Sequence, residues 1–118
     1  MNVIKMIGTI FILMMIFSNT INAQYTMQQE AKKVNVWDTY VTRKDGKTMH
    51  FDIIAPVAIK DANIIHKYGQ AYLKTKGQEG QDLSAKQCRL CHIEILQPAW
   101  EKQIDEKGYF IIEMEGCE

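Results

Sequence analysis

The sequence predicts a small α+β domain. Three observations carry that prediction. An Asp45-Gly46 turn separates two runs rich in Val, Ile, Thr, Phe, Trp and Tyr. A stretch of helical periodicity follows, from Asp61 to Gly77. The chain then closes on an alternating run, Tyr109 to Glu115.

Val34–Val41 and Met49–Ala55 read as strands. With Asp45-Gly46 as a two-residue type I′ turn, Val41 faces His50, Tyr40 faces Phe51, Thr39 faces Asp52 and Trp37 faces Ile54. This register predicts a core face of Val34, Val36, Tyr40, Phe51 and Ile53. It sends Trp37, Thr39, His50 and Asp52 to the other face, and separates Asp38 from Asp52.

Pro56 ends the second strand. Asp61 caps a helix that runs to about Lys76, with Gly77 as its stop. Its apolar stripe is Ile64, Ile65, Tyr68, Tyr72 and Leu73. Residues 82–96 fit neither helix nor strand cleanly and contain two of the cysteines. Pro98 opens a short helix that buries Trp100 and Ile104 and stops at Gly108. In the last strand Phe110, Ile112 and Met114 share one face. The expected architecture has both helices packed on one face of the sheet.

The N-terminus carries an address. Lys5, an apolar run from Met6 to Phe17, and a polar stretch ending at Ala23 have the layout of a secretory signal peptide. The run is too short for a comfortable membrane span, which needs about 20 residues. Ile21 and Ala23 fill the −3 and −1 positions of a cleavage site. The expected organisation is a signal peptide over 1–23, a linker over 24–33 and the domain over 34–118. The protein is expected to be exported, periplasmic or secreted, or membrane-anchored if the signal stays attached. Lys+Arg and Asp+Glu balance at 14 each, so no basic surface points to nucleic acid. After cleavage no membrane partner is expected, and any partner is a protein.

The chemistry concentrates in Cys88-Arg89-Leu90-Cys91-His92. Three readings compete. The first is a metal site, zinc being the natural ion, with Cys88, Cys91 and Cys117 as thiolates and His92 or His50 completing the set. Asp52, two residues from His50 along a strand, would orient that imidazole. The second is covalent haem, since C-x-x-C-H is the attachment motif of c-type cytochromes; Cys88 and Cys91 would bind haem and His92 would ligate it. Met49, Met114, His50 or His66 would supply the other axial ligand. The third is structural: the cysteines are packing residues or form a disulfide, and the domain is an interaction module with no cofactor. His66, beside Lys67, is expected to face solvent. No Ser/His/Asp set, phosphate loop or H-E-x-x-H motif is present, so no catalytic residue is named and a binding role is favoured over an enzyme.

Four segments together resemble the bacterial domain-of-unknown-function family 2024. They are Asp38-Thr39-Tyr40-Val41, Met49-His50-Phe51-Asp52, Cys88-Arg89-Leu90-Cys91-His92, and Tyr109-Phe110-Ile111 with Met114-Glu115-Gly116-Cys117. The resemblance spans Val34 to Cys117 and implies a small α+β fold with no assigned activity. It maps the family's polar motif positions onto His50, Asp52, Cys88, Cys91, His92 and Cys117. It also implies compact intracellular relatives that begin near the first strand, so the exported N-terminus here is a departure. A motif shared with such relatives favours metal or structural cysteines over haem.

Overall fold

The computed structural model describes residues 32–118; the expected signal peptide and nearly all of the expected linker lie outside them. The elements are β1 (Lys33–Thr42), β2 (Thr48–Pro56), α1 (Ala62–Thr75), β3 (Cys88–Ile95), α2 (Pro98–Lys107) and β4 (Phe110–Glu115). The strands form one antiparallel sheet in the order β3-β1-β2-β4. The α+β class holds.

The hairpin corrects the expected register. Val41 faces Met49, Tyr40 faces His50 and Asp38 faces Asp52. The cause is the turn. Arg43 N–H donates to the Lys47 carbonyl at 2.7 Å, and Gly46 N–H donates to the Arg43 carbonyl at 3.0 Å. Gly46 has φ +87°. Lys44-Asp45-Gly46 is thus a three-residue loop with its glycine left-handed, not a two-residue turn. One residue of slip exchanges the faces of one strand relative to its partner.

The α1 face carries Trp37, Val41, Met49, Phe51, Ile53 and Ala55, packed against Ile65, Tyr72 and Leu73 of the helix. Thr39, on the same face, is fully buried. The opposite face carries Val34, Val36 and Ile54 beneath Ile104 of α2, with Trp100, Phe110 and Ile112 alongside. The two helices therefore cover opposite faces of the sheet, which corrects the one-face arrangement. Tyr40, expected in the core, is exposed because it shares the α2 face but lies beyond the helix's reach.

The helix ends follow their sequence signals. The Asp61 carboxylate accepts from Asn63 N–H at 2.9 Å. At the other end Gly77 has φ +70° and Gln78 N–H returns to the Leu73 carbonyl at 2.9 Å. Gly69 lets α1 sit close, since a Cβ there would lie 3.1 Å from Ile53 Cδ1 and closer still to Leu83. Pro98 opens α2 and Gly108, at φ +94°, closes it.

The ambiguous segment resolves into the edge strand β3. Trp37 faces Leu90 but Val36 faces His92, leaving Cys91 as the extra residue of a β-bulge. A second irregularity lies between β2 and β4, where His50 faces Glu115 and Phe51 faces Glu113. Met114 is the residue left over there and is exposed.

Candidate functional site

Even-numbered residues of β1 and β2 share the α2 face. Towards the hairpin the helix no longer covers them, and there they are polar: Asp38, Tyr40, His50 and Asp52. Each is held by regular pairing between β1 and β2, so their geometry is set by the backbone.

Asp38 and Asp52 are directly opposite across the strands. The His50 ring stacks on Tyr40, with centroids 4.1 Å apart and planes 12° from parallel. That stacking directs Nε2 to Asp38 Oδ1 at 2.6 Å. One ligand atom from each of Asp38, His50 and Asp52 falls within 4.8 Å of the others. Asp52 is 8% exposed, while Asp38 and His50 are half-buried. Burial pushes the Asp52 carboxyl above its usual range, and the Asp38 charge and a hydrogen bond to Asp38 push it the same way. His50 and, further off, His92 oppose that shift.

Facing carboxylates repel one another. Two things relieve such a pair: a shared proton or a cation. An imidazole and two carboxylates are also a donor set that suits a divalent metal.

The sequence-derived candidates divide between the two faces. His50 and Asp52 belong to this cluster. The imidazole hydrogen bond expected from Asp52 comes instead from Asp38. His92 lies on the same face, opposite Val36, is exposed, and bonds Glu94 Oε1 at 2.7 Å. Cys91 is exposed at the bulge. Cys88 is buried in the α1-side core opposite Thr39. Burial pushes its thiol pKa up, against a lowering contact from Thr39, so it sits there as the neutral thiol. Cys117 is also in that core, its thiol donating to the His50 and Glu115 carbonyls at 3.4 Å. All three cysteines are free, and the metal-type grouping contains none of them. Met49 is in the α1-side core. His66 is half-buried rather than solvent-facing, and its Nε2 has no hydrogen-bond partner among the described residues.

Asp38 is the residue that sequence reasoning misses. The signal is present in the pattern. Trp37 and Val41 join Met49, Phe51, Ile53 and Ala55 on one predominantly apolar face only in the observed register. The expected register sets Trp37 beside His50 and Asp52.

A groove of about 780 Å³ runs between α1 and the 79–87 loop, lined by Gln70, Lys74 and Leu83 among others, and includes none of the cluster. Among the described residues no helix is long and apolar enough to cross a membrane.

The model of a family described as a domain of unknown function, DUF2024, matches residues 32–114. The chain is also similar to protein NE1680 from Nitrosomonas europaea, a structural-genomics target solved by NMR. The two are 36% identical, with a TM-score of 0.64 over 73% of this chain and 99% of that one. No curated protein matches the chain.

Proposed function

The chain belongs to the DUF2024 family, a domain of unknown function, and from that premise we propose that it is a small divalent-cation-binding domain whose ligands are Asp38, His50 and Asp52. The observation that supports this reading is the facing carboxylate pair with an imidazole within 4.8 Å. A cation there replaces carboxylate repulsion with attraction. One nitrogen and two carboxylate oxygens suit zinc, with water completing the shell. The role is binding rather than catalysis. The expected destination is outside the cytoplasm, directed by residues 1–23.

Zinc titration followed by calorimetry tests the reading. The wild-type protein binds one ion. Asp52→Asn and His50→Gln lose it, and Cys91→Ala keeps it. Absence of binding contradicts the proposal, as does binding that depends on Cys91 and survives Asp52→Asn.

A second reading draws support from the burial of Cys88 and Cys117. These thiols act as small apolar packing residues of an interaction module. Haem attachment draws no such support. Cys88 points into the α1-side core and His92 belongs to the other face, whereas the haem motif needs both thiols and the histidine on one side of the chain.

A further inference from the structure

Natural sheets blunt their edge strands with short length, inward charges or prolines. β3 does the reverse on one face. Leu90, Ile93 and Ile95 are 51%, 61% and 71% exposed. They lie opposite Trp37, Asn35 and Lys33 of β1, so all three point to the α1 face. Arg89, His92 and Glu94 lie opposite Asp38, Val36 and Val34 and share the other face. Among the described residues β1 is the sheet neighbour of β3, and its outer edge has none.

The bulge gives this edge an unusual property. Residues 89 and 94 are an odd number apart, so in a regular strand they would take opposite faces. The extra residue Cys91 brings them to the same face, and likewise brings Leu90 and Ile93 together on the other. The strand is then complementary to itself when reversed about a point between Cys91 and His92. Arg89 meets Glu94 of the second copy, Leu90 meets Ile93, and each contact occurs twice. Charges face opposite charges, and exposed apolar residues face each other. The Arg89 side chain has no hydrogen bond or ion pair among the described residues. Glu94 gives Oε1 to His92 and keeps its other oxygen available.

We propose that the outer edge of β3 pairs antiparallel with β3 of a second copy of this chain, about a two-fold axis between Cys91 and His92, joining two four-stranded sheets into one of eight. Such an isologous contact is the commonest form of homodimer. The pairing makes no contact through Asp38, His50 or Asp52; Arg89 lies opposite Asp38, so Glu94→Arg and Ile93→Lys are the variants that leave the cation site's immediate neighbours unchanged.

Sedimentation equilibrium on the protein as the cell produces it tests the pairing through a charge exchange. The wild type is expected as a dimer. Arg89→Glu sets two carboxylates against each other at both ends of the contact, and Glu94→Arg does the same with two guanidinium groups. Each is expected to weaken dimerisation by about tenfold or more. The double exchange restores it, because opposite charges again face each other. Within one chain these residues are too far apart along the strand for that rescue. Ile93→Lys, checked for an unchanged circular dichroism spectrum, also gives monomer. A monomeric wild type overturns the proposal; so does a dimer indifferent to all three surface changes, since its contact would then lie on another face or involve another segment.

Discussion

Asp52 sits where its charge is least welcome: buried, and facing Asp38 across a strand pair. Its carboxyl holds a proton more tightly folded than unfolded. The sign follows from that. The folded state is favoured below the ordinary carboxyl value of 3.8, and this advantage is lost as pH rises through the raised folded value. In metal-free protein, Asp52→Asn is therefore expected to raise the melting temperature at neutral pH, and the gain should vanish in acid. An unchanged or lower neutral melting temperature would mean that the pair is already relieved. Gly116 makes a different demand. Its φ is +68°, and a Cβ there would collide with the Thr48 carbonyl oxygen. Left-handed backbone alone costs a residue with a side chain roughly 1–2 kcal/mol, and the clash with backbone adds to it. Gly116→Ala should cost more than about 2 kcal/mol by denaturant unfolding, and a near-neutral result would mean that the β4 end relaxes freely.

At the scale of elements, burial and turn chemistry decide what the sequence discloses. Helix α1 is legible from end to end because Asp61 and Gly77 are strong punctuation and the stripe between them is regular. Removing the cap with Asp61→Ala should cost about 1 kcal/mol, read from the urea midpoint. The hairpin strands are legible, but their register is not. Asp-Gly by itself favours a two-residue turn, but it also fits a three-residue loop that ends on a left-handed glycine. Only the apolar face that forms in one register and not the other distinguishes them. Phe51 is central to that face, fully buried and 4.7 Å from the Tyr72 ring. Phe51→Ala is expected to cost about 3–5 kcal/mol. A cost near 1 kcal/mol would contradict its placement at the centre of a closed core. β3 escapes a sequence reading because its face residues are exposed at a sheet edge and its period breaks at Cys91. Bulges erase the alternation by which strands are recognised.

Over the whole molecule, one register error displaces the candidate site. Sequence reasoning singles out His50 and Asp52, but joins them to cysteines whose thiols the metal-type grouping does not contain, and its register sends Asp38 to the opposite face. The observed sheet divides the labour of its two sides. Under α1 lie the main core and the buried thiols. On the other, α2 covers half and leaves Asp38, Tyr40, His50 and Asp52 uncovered. Across the sheet end, Tyr72 of α1 donates to Glu113 of β4 at 2.8 Å, and Lys76 approaches the same carboxylate at 2.9 Å. Those contacts hold Glu113 below its ordinary value of 4.5, Lys76 contributing most and Tyr72 next. Their stabilisation is present above that pH and is lost as pH falls through the lowered value. Glu113 is partly exposed, so Glu113→Gln should cost under about 1 kcal/mol at pH 7, with the difference disappearing in strong acid.

The central claim is that the cation site is built from Asp38, His50 and Asp52. Side-chain NMR of the three histidines during zinc titration tests it most directly. The His50 ring nitrogens are predicted to shift with one equivalent of zinc in the wild type and to stay unmoved in Asp52→Asn. A titration that shifts His92 together with the cysteine resonances, and leaves His50 in place, would contradict the account and return the metal to the thiols.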